Sequence, residues 1–187
     1  MKVWSVLLAL SFALLSGCLV TFKDPVPSSE AAPPKLLGTW TSKNAWGEPL
    51  ELEISRAGVN QYKAVSYRKG DRKNRDEYTF TVSRHGGRWY ICGRLPEKYG
   101  SNYVIGGFDL VDNDNDNAAD ELVVYDLDLE RMQQLVEQKV FEGQAIETEK
   151  GDGVLITTSM DKVFAYLDDT ANSDVFLKAA QYQRMTK

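Results

Sequence analysis

The chain has 187 residues, with 22 Lys and Arg against 27 Asp and Glu, a formal charge of −5, and only two cysteines. That balance, with no long basic run of the kind that tracks nucleic acid, excludes a nucleic-acid partner as an expectation. Two cysteines also exclude a disulfide-built scaffold, and the length suits one domain with an appendage.

The chain begins with one positive charge, Lys2, and an almost wholly apolar run from Val3 to Leu15, closed by Ser16-Gly17-Cys18. These are the parts of a secretory signal, too short to span a bilayer that needs ~20 apolar residues. Residues 1–17 are therefore expected to be removed. Leu15-Ser16-Gly17-Cys18 resembles the lipobox of bacterial lipoproteins, and the resemblance implies that Cys18 is acylated and becomes the new N-terminus. The other reading is an ordinary signal peptide with an incidental cysteine. Two or three acyl chains, at ~0.8 kcal/mol per buried CH₂, would anchor the protein to a membrane that it does not span. Leu19 and Val20 follow the cysteine with no Asp, which by the same resemblance implies the periplasmic face of a Gram-negative outer membrane. With Cys18 committed to lipid, Cys92 is expected to be a buried, inert thiol.

Residues 18–36 hold four of the six prolines, at 25, 27, 33 and 34. Such a stretch favours extended polyproline conformations and reads as a tether that holds a single β-rich domain, residues 37–187, clear of the lipid.

From Leu37 the pattern turns to period two, the mark of half-buried strands. Leu50, Leu52 and Ile54 alternate with Glu51 and Glu53, and Tyr78, Phe80 and Val82 with Thr79 and Thr81. Residues 37–42, 61–68, 88–95, 103–111 and 121–128 are further strands, separated by stretches too short for crossover helices, so neighbours should pair antiparallel as a meander. Later, Leu129, Met132, Leu135, Val136 and Val140 share one helical face, and Met160, Val163, Phe164 and Leu167 share another, with Ser159 as N-cap. Residues 153–158 read as a strand between these helices, 172–178 as a short third helix and 180–185 as a last edge strand. The expected fold is mainly β with an α+β ending. About seven to nine antiparallel strands form a barrel or half-barrel, and two or three helices occupy the C-terminal third.

The opening Gly38-Thr39-Trp40, the meander and the late helices resemble lipocalin-like bacterial lipoproteins. Helices interrupting the last strands depart from the closed eight-stranded cup of true lipocalins. Trp40 is expected to be a core aromatic closing one end of the barrel.

Two turns carry chemistry. Asp112-Asn113-Asp114-Asn115-Asp116-Asn117-Ala118-Ala119-Asp120 places carboxylates at positions 1, 3, 5 and 9, the oxygens that a hard cation such as Ca²⁺ takes. An EF-hand is excluded because position 12 is Val123 and no helices flank the loop. The stretch is similar to the calcium-binding hairpin loops of integrin-type FG-GAP repeats. That likeness implies the side chains of Asp112, Asp114, Asp116 and Asp120 and the backbone carbonyl of Ala118 as ligands. A long solvated hairpin is the alternative, since Asp and Asn are themselves turn formers. The second turn gathers Arg68, Lys69, Arg72, Lys73 and Arg75 as a candidate contact for an anionic glycan, headgroup or acidic partner, or as a solvated hairpin tip. The acidic and basic turns should lie at opposite ends of the meander.

Catalytic patterns are scarce. His85, the one histidine, sits in Arg84-His85-Gly86-Gly87 and reads as an exposed turn residue. The first functional reading is therefore a noncatalytic, lipid-anchored envelope protein that binds a ligand or partner through its β-domain. The second is a hydrolase acting on envelope polymers through a site that the sequence does not name.

Overall fold

A computed structural model describes residues 19–43, 47–97, 100–148 and 151–185. Among these residues, eleven strands form one sheet: β1 Leu19–Phe22, β2 Gly38–Lys43, β3 Pro49–Gly58, β4 Gln61–Arg68, β5 Arg75–His85, β6 Arg88–Arg94, β7 Tyr103–Val111, β8 Glu121–Leu127, β9 Gly143–Thr148, β10 Gly151–Ile156 and β11 Phe176–Arg184. Two α-helices, α1 Leu129–Glu137 and α2 Met160–Leu167, and a 3₁₀ helix, Thr170–Val175, lie in the C-terminal part.

Strands β2 to β8 pair in sequence order, and β11 inserts antiparallel between β8 and β2, closing an eight-stranded barrel. Tight turns make the sequential pairing possible. Gly86 and Gly87 both have positive φ, 54° and 85°, which lets β5 reverse into β6 across two residues. The expected antiparallel barrel is thus present and fully closed. Its closing strand is the segment read as an edge, 180–185. It begins four residues earlier, at Phe176, inside the stretch read as a short helix.

The sheet continues past the barrel wall. β1 runs parallel to β10, from Leu19↔Gly153 to Phe22↔Ile156, touches β7 at Phe22↔Tyr103, and β9 lies on the far side of β10. This corrects the tether. Residues 19–36 lie on the fold, with Leu19, Phe22, Val26, Ala32 and Leu36 all buried. The chain is bonded down as well: the Ala32 amide donates to the Tyr62 hydroxyl at 2.7 Å and the Ser28 hydroxyl to the Val82 carbonyl at 3.3 Å. Proline content alone suggested a spacer, but apolar residues between the prolines find burial on the barrel, and each fully buried side chain contributes about 1.5–3 kcal/mol.

Two cores result. One lies inside the barrel around Trp40, Tyr62, Phe108, Leu122 and Tyr182. The other lies between the outer face of β6 and β7, at Tyr90, Cys92 and Ile105, and a cover made of Phe22, α1 and α2. Asp128 caps α1, its Oδ1 accepting from the Glu130 amide at 2.9 Å, whereas the Ser159 side chain makes no capping bond to α2.

Candidate functional site

Alternation along each strand decides which side chains enter the barrel. At the end where β2 begins, large residues fill it. Trp40 is fully buried, its indole N–H donating to the Leu36 carbonyl at 3.0 Å, and the Arg184 guanidinium lies 4.1 Å from its ring centroid. Trp40 thus closes one end as expected. Toward the other end the inward positions are small: Ala64 and Ser66 on β4, Gly93 on β6 and Gly106 on β7. Big residues below and small ones above leave a cavity of about 450 Å³.

Most of the lining is apolar, with Leu52, Ile54, Phe80, Ile91, Val104 and Val124 among the walls. Its mouth lies where β5 runs past its last pairing with β6, Phe80↔Gly93, so that Glu77–Thr79 and Arg94–Pro96 border the opening. A Cβ placed on Gly93 would sit 3.7 Å from Val104 Cγ2, an ordinary contact, so it is not backbone crowding that demands a glycine there.

One acidic group faces this space from β8. Leu122, Val124 and Asp126 share the inward face, and Asp126 stands at the mouth end. Among the described residues its carboxylate accepts no hydrogen bond, and burial alone pushes its carboxyl up to about 6. The residue was absent from the sequence reading. Its signal was there to find: an acid standing at an inward position of an otherwise apolar alternation.

The acidic loop joins β7 to β8 at the closed end. Carboxylate oxygens of Asp112, Asp114 and Asp116 lie within 4.8 Å of one another, a group that could bind a metal ion. Asn115 and Asn117 have φ of 61° and 71° and curl the loop inward. Backbone amides hold the acids in place: Asn117 donates to Asp112 Oδ2 at 3.0 Å, Asp116 to Asp114 Oδ1 at 3.1 Å and Ala118 to Asp116 Oδ1 at 2.7 Å. Asp120 stands apart from the trio and accepts from the Asn113 amide at 2.7 Å. Lys35 reaches the loop from the segment before β2, its Nζ 2.9 Å from Asn117 Oδ1 and 4.0 Å from Asp112 Oδ2.

The basic turn joins β4 to β5, at the end opposite the acidic loop and beside the cavity mouth. Glutamates meet three of its five cations: Arg68 with Glu48 at 3.7 Å, Arg72 with Glu53 at 2.6 Å and Arg75 with Glu77 at 2.9 Å. Lys69 and Lys73 form no ion pair among the described residues and supply the turn's uncompensated charge. His85 differs from the exposed turn residue expected. Its ring stacks on Phe164 of α2 at 3.7 Å, and its Nε2 is 3.2 Å from Ser83 Oγ, a buried hydroxyl that donates to the Pro27 carbonyl. The Ser–His pair is thereby a clamp between barrel, helix and N-terminal strap.

Cys18 lies outside the described residues. No described helix is long and apolar enough to cross a membrane. Comparison with protein-family models, with curated proteins and with solved structures found no match.

Proposed function

We propose that this is a noncatalytic, lipid-anchored envelope protein that holds a small apolar ligand inside its barrel. The observation that carries the reading is the cavity of about 450 Å³ with its apolar wall. That volume falls within the ~300–1,000 Å³ usual for small-molecule sites, and apolar lining with few polar groups is their usual chemistry. The competing hydrolase reading has less support, because the acid that faces the cavity is Asp126, while Glu77 at the rim is held by Lys63 at 2.5 Å and Arg75 at 2.9 Å. The direct test is titration with an environment-sensitive naphthylamine dye. Saturable uptake at about one dye per chain supports the reading; absence of saturable uptake contradicts it.

Anchoring rests on Cys18. Because Leu19 already begins β1, acylation there would hold the domain against the bilayer with no free spacer. Cys18→Ser should release the protein from washed membranes. The basic turn lies at the mouth end, and Lys69 and Lys73 offer an anionic headgroup, glycan or acidic partner a place to dock near the opening. For the acidic loop the ion proposed is calcium, held by Asp112, Asp114 and Asp116, as suits an oxygen-only donor set. Its role there would be to stiffen the closed end.

A further inference from the structure

Few polar residues line the cavity: Ser66, Glu77, Thr79, Arg94 and Asp126. Its wall is apolar, yet Asp126 sits on the same face as Leu122 and Val124 and meets neither a cation nor a hydrogen-bond donor among the described residues. Asp126 is half-buried there, and a carboxylate drawn partly out of water beside apolar walls, with no cation or donor of its own, gains most from an opposite charge brought by a ligand. Other charged residues border the cavity, but they face different ways. Arg94 on β6 is exposed at the rim and donates from Nε to the Ser101 carbonyl at 3.4 Å. Glu77 on β5 is occupied by Lys63 and Arg75. Neither contributes to the state of Asp126, which burial alone sets.

From this geometry we infer that the ligand is a cationic amphiphile, an apolar body bearing a protonated amine, with the ammonium bound at Asp126 and the body lodged among the apolar walls beneath. The inference rests on the cavity reading above and adds the ligand's charge to it. An ammonium supplies both the opposite charge and the donors that this carboxylate lacks, and it does so at the mouth, where the amine keeps contact with water. A fatty acid would instead bring a second negative charge to Asp126, with Arg94 turned toward the loop carbonyl and too exposed to compensate strongly.

Three ligands of equal chain length separate the claims: decylamine, decanol and decanoate, titrated calorimetrically below their aggregation limits at pH 7.5. Decylamine should bind roughly tenfold or more tightly than decanol, the scale of a charge-assisted hydrogen bond, and decanoate should bind most weakly. Asp126→Asn should bring the amine down to within about threefold of the alcohol and leave decanol nearly unchanged. In the native protein the amine preference should fall as pH drops from 7.5 to 5, because Asp126 takes up a proton while the alkylamine stays charged; this arm holds even if the variant fails to fold. Equal binding of amine and alcohol, or a preference for decanoate, overturns the amine inference and leaves the cavity reading standing. If none of the three binds, both fall.

Discussion

The guanidinium of Arg184, on the last strand, lies 4.1 Å above the ring of Trp40, on the first strand of the barrel. The same group donates from Nε and both terminal nitrogens to the carbonyls of Ala119, Leu37 and Lys35. One side chain thus ties β11, the β7–β8 loop and the segment before β2 into a floor, and that floor makes the cavity blind at one end.

Arg184→Ala should therefore lower unfolding free energy by about 2–4 kcal/mol, since it removes a cation–π contact and charged donors to three carbonyls. Arg184→Lys should recover little, because an ammonium cannot reproduce the planar fork. Urea denaturation of both variants measures this.

Asp126 gives a stability signature that depends on pH. Its carboxyl is pushed up to about 6 in the fold against an ordinary value of 3.8, so the folded state holds the proton more tightly. Below the ordinary value both states are protonated and nothing is lost. Stability falls as pH rises between about 4 and 6, by up to ~3 kcal/mol at ~1.36 kcal/mol per unit, and by less if cavity water screens the charge. Asp126→Asn should be more stable than the native protein at pH 7.5, with the advantage fading toward pH 4. A difference that is the same at both pH values would contradict this.

Much of the barrel was legible because its strands are half-buried. Leu50/Leu52/Ile54 and Tyr78/Phe80/Val82 alternate cleanly, and the hairpin spacings dictated antiparallel neighbours. The misses share a cause. β1 pairs with β10 across more than a hundred residues, and β11 closes the barrel against β2 and β8; local pattern carries no information on such distant pairing. The prolines at 25, 27, 33 and 34 outweighed Val26, Ala32 and Leu36, whose burial only a neighbouring surface could decide. The acidic loop was legible as a run of carboxylates, and three of its acids do converge, while Asp120 caps the loop instead. The cavity was invisible because it is made by what Gly93, Gly106, Ala64 and Ser66 lack.

Calcium should raise the melting temperature modestly, since weak sites with Kd of order 10⁻⁴ to 10⁻³ M contribute little at millimolar ion. The doubly substituted Asp114→Asn/Asp116→Asn protein should lose the response. Lys35→Met should strengthen it, because the ammonium already stands 4.0 Å from Asp112. Identical melting curves in EDTA and ~10 mM calcium would rule out the ion.

Cys92 is free and buried in the outer core, its Sγ accepting from the Val26 amide at 3.5 Å, and burial raises its thiol above the ordinary range. It should resist aromatic disulfide reagents in the native protein and react once unfolded. Cys92→Ala should cost about 1–2 kcal/mol in chemical denaturation. Fast native labelling would show that the strap over β6 opens.

The cavity itself is tested most directly by filling it. Gly93 faces the space from β6 with room for a side chain, and Leu at that position would occupy the volume that a ligand needs. Dye titration of Gly93→Leu beside the native protein and Gly93→Ala, with melting curves to show that all three fold, is the decisive comparison. Uptake should drop at least ~10-fold in Gly93→Leu and persist in Gly93→Ala, with no loss of melting temperature, because a glycine in a strand interior is itself a weakness. Undiminished dye binding by a folded Gly93→Leu protein would place the ligand elsewhere and contradict the account.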